Sequence, residues 1–112
     1  MKRLLIVVDY QNDFVCGSLG FDNAKKLEKG ILEKIAEYQN DEIIYTLDTH
    51  FDDYLTTAEG KSLPVPHCIK GTGGHKLYGG LADALKGKLC FEKIHSRRLK
   101  WQSILRAKTS IQ

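Results

Sequence analysis

The sequence predicts an α/β domain built on a parallel sheet, and three observations carry that prediction. Strand-like apolar runs alternate with amphipathic helical stretches. The first run is apolar throughout, as in a strand buried on both faces. Each run also ends on a charged or polar group, as strands do where they leave a sheet.

The first strand is read over Arg3 to Asp9, through Leu4-Leu5-Ile6-Val7-Val8. Asp22-Asn23 can cap a helix beginning at Ala24. Leu27, Ile31, Ile35 and Tyr38 follow at intervals of four, four and three, which makes one apolar stripe. Gly30 weakens that helix by about 1 kcal/mol relative to Ala, so close packing is expected there. Glu42 to Leu47 forms a second strand, ended by Asp48-Thr49-His50. Leu77, Leu81, Ala84 and Leu85 mark a short second helix, and Leu89-Cys90-Phe91 a third strand before Lys93. Strand–helix–strand order calls for right-handed crossovers and hence a parallel sheet. The segment Phe51 to Lys76 is a long loop carrying Pro64, Pro66, Gly71, Gly73 and Gly74, of a length that is usually functional or disordered.

At 112 residues the chain holds one small domain at most, and 42% hydrophobic with 28% charged residues is the balance of an ordinary globule. The leading apolar run is too short for a membrane span, and no small-residue cleavage site follows it, so the chain is read as cytoplasmic with no membrane partner. Cys16, Cys68 and Cys90 are odd in number and lack Cys-x-x-Cys spacing, which argues against a disulfide framework or a thiolate zinc site. Charge is uneven. Residues 1–96 carry 12 Lys and Arg against all 14 acids, whereas residues 97–112 hold Arg97, Arg98, Lys100, Arg106 and Lys108 with no acid. A solvated helix or frayed end explains this basic tail better than a nucleic-acid contact.

In a parallel sheet all carboxyl ends share one edge, where ligands bind. That edge would gather Asp9, the Asp48/His50 pair and Lys93. Asp48 and His50 are two apart in an extended segment, so they point to the same side, and a carboxylate with an imidazole suits a first-row metal. His67, held by Pro64-Val65-Pro66, offers a third ligand and Glu59 a weaker fourth. Gly71-Thr72-Gly73-Gly74-His75-Lys76 lacks phosphate-loop spacing and is read as a tight turn into the second helix. Two classes fit: a hydrolase using Asp9 and Lys93 with a nucleophile, or metal-assisted phosphoester chemistry on Asp48, His50 and His67. No G-x-S-x-G setting is present, and each cysteine reads as structural.

These residues resemble the isochorismatase-like cysteine hydrolases and, within them, the nicotinamidases. The likeness rests on Leu5-Ile6-Val7-Val8-Asp9-Tyr10-Gln11-Asn12-Asp13-Phe14, on Asp48-Thr49-His50, and on Pro64-Val65-Pro66-His67-Cys68-Ile69-Lys70-Gly71-Thr72, over residues 1 to about 95. The resemblance implies a doubly wound, Rossmann-like α/β sheet and hydrolysis of a small carboxamide, nicotinamide giving nicotinate and ammonia. It makes Asp9 the general base and Lys93 the cation beside it. Asp48, His50, His67 and Glu59 would hold a divalent ion (Zn, Mn or Fe), and Phe14 would line the pocket for a planar ring.

The family's nucleophilic cysteine follows a fourth strand, at the start of a later helix, and Cys16, Cys68 and Cys90 do not match it. Residues 1–95 are therefore read as the N-terminal part of such a domain, missing its C-terminal strands and helices. Such a chain is expected to bind metal without turning over substrate, and to self-associate through an uncovered apolar sheet edge. Residues 96–112 are read as out of frame. Trp101 has a single codon, and reading two bases later allows T-F-x-S-L-E-M-A-E-Y-L-K over this stretch, which resembles the family's continuation. A short protein whose basic tail binds nucleic acid is the alternative.

Overall fold

A computed structural model describes residues 3–95 and 103–109. The elements run β1 (Leu4–Val8), α1 (Asn12–Val15), α2 (Asp22–Lys25), α3 (Leu27–Glu37), β2 (Glu42–Thr49), α4 (Ala58–Ser62), α5 (Leu81–Ala84), β3 (Leu89–His95) and β4 (Ser103–Thr109). The sheet order is β1-β2-β3-β4. β1, β2 and β3 are mutually parallel, with Val8 opposite Thr46 and Asp48 opposite Lys93.

One face of the sheet is covered. Leu5, Val7, Ile43, Tyr45 and Cys90 pack there with Ile35 and partly buried Ile31 and Leu32 of α3 and with Leu81 and Leu85 of the α5 region. The stripe read from spacing is the reason: Ile35 sits at its centre and is 2% exposed, while Leu27 at its end is open to solvent. The opposite face departs from the expectation for β1. Leu4, Ile6 and Val8 are 55%, 47% and 61% exposed, so β1 is buried on one face only. Among the described residues β1 pairs with β2 alone.

Other expectations need correction. The first helix begins at Asp22 with Phe21 as cap residue, and it breaks at Lys26 before α3. Gly30 meets nothing within 4 Å, because it opens onto a shallow apolar groove between β1 and α3. The 51–76 segment is not structureless: it folds into single turns at Tyr54–Thr56 and Gly73–His75, with α4 between them. Lys93 lies within β3 rather than beyond it.

The basic tail is neither helix nor frayed end where it is described. Ser103–Thr109 pairs antiparallel with β3, with Arg106 opposite Glu92. Leu105 and Ala107 alternate with Arg106 and Lys108, which is a strand's period of two. Of the stretch read as out of frame, residues 96–102 and 110–112 lie outside the described residues. No described helix is long and apolar enough to cross a membrane.

Candidate metal centre and its neighbouring ion pair

β2 carries Asp48 and Thr49 at its carboxyl end, and His50 continues the line by a parallel bridge to Ile69. His50 N–H donates to the Cys68 carbonyl, and Lys70 N–H returns a bond to the His50 carbonyl. The loop bearing His67 is thereby stitched to the strand bearing Asp48 and His50. α4 adds Glu59. Its N-terminus is capped by Thr57, whose hydroxyl oxygen accepts from Gly60 N–H at 3.0 Å.

The four side chains predicted as ligands converge. His50 Nε2 lies 3.0 Å from Asp48 Oδ2 and 3.5 Å from Glu59 Oε2. His67 Nε2 lies 3.5 Å from Asp48 Oδ2 and 3.6 Å from Glu59 Oε2. Ligand atoms held about 2.0–2.1 Å from a tetrahedral ion lie about 3.4 Å from one another, so this donor set fits a divalent cation in spacing as well as in chemistry. The His67 tautomer fits too. Its Nδ1 stands 2.8 Å from the Val65 carbonyl, which can only accept, so Nδ1 carries the hydrogen and Nε2 offers its lone pair to the group. Asp48, His50 and His67 are buried, while Glu59 is 39% exposed and forms the solvent side.

Tyr54 was not anticipated. It is 1% exposed, edge-on to His50 at 4.8 Å and to His67 at 5.1 Å, and it donates to the Leu63 carbonyl at 2.7 Å. Burial first, then the charge of Glu59, holds its hydroxyl above the ordinary phenol value, so it remains a neutral donor. Phe14, expected in a ring pocket, stands 5.4 Å from the His67 ring at a steep angle. The one signal of Tyr54 in the sequence is its place four residues after His50.

Asp9 follows β1 in the left-handed region (φ 49°), which Asp tolerates better than most residues. Its carboxylate binds Lys93 through Oδ2 and accepts from the Thr46 hydroxyl through Oδ1 at 2.6 Å. Thr46, two residues before Asp48 on β2, was also not singled out in the sequence. Because Asp48 and Lys93 are register partners, the ion pair and the four-donor group occupy adjoining strands at one sheet edge.

The thiols stand differently. Cys16 is exposed and caps α1; Cys68 and Cys90 are fully buried. Burial first, then the charge of Asp48, pushes the Cys68 thiol up, which removes its nucleophilic form. The glycine-rich stretch is a single turn at Gly73–His75 and carries no phosphate-loop geometry.

Comparison with known proteins agrees with this geometry. The isochorismatase domain family matches residues 3–100. The chain is 36% identical over 90 residues to the isochorismatase family protein PncA of Bacillus subtilis (strain 168), covering 72% of this chain and 46% of that protein. It is 36% identical over 85 residues to the nicotinamidase/pyrazinamidase of Mycobacterium tuberculosis, covering 70% of this chain and 45% of that one. The chain thus spans about half the length of the curated relatives it matches. Among solved structures, the Pyrococcus horikoshii pyrazinamidase in complex with zinc superposes with a TM-score of 0.67 at 27% identity, over 83% of this chain and 52% of that one. The family's match across the described sheet, with two relatives above one-third identity, settles the assignment: this chain belongs to the isochorismatase family.

Proposed function

We propose that this chain supplies the acid–base and metal-binding part of a nicotinamidase-like amide hydrolase, one that converts a small aromatic carboxamide such as nicotinamide to its acid and ammonia. One observation carries the reading: the Asp9–Lys93 pair sits beside the Asp48/His50/Glu59/His67 group on neighbouring strands. Relatives named as nicotinamidase or pyrazinamidase support the substrate class.

Each side chain has a task in that chemistry. Asp9 is the general base that takes the proton of an attacking thiol, with Oδ1 fixed by Thr46 and Oδ2 by Lys93. The Lys93 ammonium would attract the thiolate that the proton transfer leaves behind. Phe14 forms a wall for a planar ring next to His67. A divalent ion (Zn, Mn or Fe) held by the four donors would supply Lewis acidity and an anchor for a ring nitrogen. None of Cys16, Cys68 or Cys90 fills the nucleophile's role, so these 112 residues by themselves are expected to bind without turnover. That Cys16, Cys68 and Cys90 form no disulfide agrees with a reducing, cytoplasmic setting.

The reading is tested by ammonia release from nicotinamide. The 112-residue chain should give none above buffer. The product of the gene read through the shifted frame after about Lys93 should release ammonia and lose that activity on Asp9→Asn. Release by the short chain that survives Asp9→Asn would overturn the proposal, and so would a shifted frame that meets an early stop codon.

A further inference from the structure

Beyond Asp9 and Phe14, the segment after β1 contributes polar side chains with no part in the chemistry above, and two of them, Gln11 and Asp13, bind backbone at or next to the ligands. Gln11 is fully buried. Its Nε2 donates to the Asp48 carbonyl at 2.9 Å and to the His75 carbonyl at 2.7 Å, while its Oε1 accepts from Asp48 N–H at 2.8 Å. The orientation of the amide is fixed, since a peptide N–H only donates and a peptide carbonyl only accepts. The ladder between β1 and β2 ends at Val8 opposite Thr46, with Asp9 N–H closing on the Thr46 carbonyl. The next peptide groups of β2 that face β1 belong to Asp48. There the strand has run out, and the Gln11 side chain takes its place.

Asp13 does the corresponding work on the loop. Its Oδ2 accepts from Cys68 N–H at 2.7 Å, and Cys68 holds a left-handed φ of 50° that a non-glycine residue adopts only under such constraint. The carbonyl of the same residue receives His50 N–H. One residue therefore links two ligands, His67 through the chain and His50 through a hydrogen bond, and Asp13 fixes it. The carboxylate fits a slot between two glycines: a Cβ at Gly17 would lie 2.2 Å from Asp13 Oδ1, and one at Gly74 2.1 Å from Asp13 Oδ2. Asn12 Nδ2 to the Gly73 carbonyl (2.8 Å) and the Ser18 hydroxyl to the Pro66 carbonyl (3.0 Å) dock the same segment along the same loop.

We infer that Gln11 and Asp13 are positioning residues of the metal centre, Gln11 setting Asp48 through its peptide and Asp13 setting His67 and His50 through Cys68. This rests on reading the four-donor group as a metal centre. Groups that orient ligands from outside the coordination sphere typically change metal affinity by about 10- to 100-fold when removed.

The test uses the whole chain titrated with Co²⁺ and Zn²⁺, reading dissociation constants and the visible absorption of the cobalt form, with circular dichroism of the metal-free protein as the folding control. Gln11→Ala and Asp13→Ala should each weaken binding by about 10- to 100-fold and shift the cobalt bands. Asp13→Asn, which still accepts from Cys68 N–H, should behave like the wild type. Gln11→Glu, which cannot donate to the Asp48 carbonyl, should not. Gly74→Ala touches no ligand, yet it should weaken binding by displacing the Asp13 carboxylate, and combining it with Asp13→Ala should add little. Should Gln11→Ala or Asp13→Ala fail to fold, Gln11→Glu and Gly74→Ala decide instead. Wild-type affinity and spectrum in both of these would overturn the inference while leaving the metal centre intact. A wild-type chain that takes up neither ion, or takes them up equally after His50→Ala/His67→Ala, would instead remove the metal reading itself.

Discussion

Replacing Gly60 with alanine probes how the long loop delivers its carboxylate. The Tyr54 carbonyl already accepts from Thr57 N–H at 3.0 Å and from the Thr57 hydroxyl at 2.6 Å. α4 presses against the same group: a Cβ at Gly60 would stand 1.9 Å from Tyr54 O, 2.8 Å from Tyr54 C and 2.9 Å from Leu55 Cα. All three are backbone atoms, so no rotamer change clears them. Reaching an ordinary contact of about 3.5 Å requires α4 to retreat by more than about 1 Å. Overpacking of this kind costs about 1–3 kcal/mol. The retreat also draws away Glu59, whose Oε2 stands 3.5 and 3.6 Å from the two imidazole nitrogens. Coordination distances tolerate only about 0.2 Å, so zinc affinity should fall about 10- to 100-fold as well. Urea unfolding of the metal-free protein measures the first effect, and calorimetric zinc titration the second. Glu59→Ala is the comparator: it should weaken zinc binding while leaving the urea midpoint near the wild-type value. A Gly60→Ala protein with unchanged midpoint and unchanged zinc affinity would refute this reasoning.

Burial first, then the charge of Glu28, holds the Tyr10 hydroxyl above the ordinary phenol value of 10.0. The unfolded chain therefore loses this proton first, so Tyr10 favours folding below pH 10.0 and that contribution fades as pH rises beyond it. Tyr10→Phe should flatten the alkaline decline in urea midpoint, at the cost of about 1 kcal/mol for the bond to the Ala24 carbonyl; an equally steep decline in the variant would contradict the assignment. The exposed Leu4, Ile6 and Val8 beside the β1 edge should drive self-association, visible by light scattering at ~10 μM and relieved by Ile6→Lys. A monodisperse monomer before substitution would count against that reading.

How much of this was legible depended on whether a signal was local. The three parallel strands were, because each is a compact apolar run, and the parallel-sheet rule then placed Asp9, Asp48, His50 and Lys93 at one edge. His67 followed from its two prolines, whose fixed backbone angles now appear in the Val65 carbonyl bond. Glu59 read as the weakest ligand because nothing in sequence shows α4 folding back; in space its Oε2 stands 3.5 and 3.6 Å from the two imidazole nitrogens. The start of α2, the opening beside Gly30 and the strand at Ser103–Thr109 were misread. Each depends on what the rest of the sheet leaves covered or bare, which periodicity does not report. Gln11 and Asp13 were legible only as part of the family likeness, since the backbone groups they hold lie far along the chain, and Tyr54 was passed over because nothing in its short loop context marks a buried aromatic.

The most direct test of the central claim, that Asp48, His50, Glu59 and His67 form one metal centre, is the metal content of the purified chain. It should be measured by elemental analysis after dialysis, alongside a His50→Ala/His67→Ala variant. The account predicts a bound divalent ion in the wild type and its loss from the variant. Equal metal in both proteins, or none in the wild type after dialysis against zinc, would contradict it.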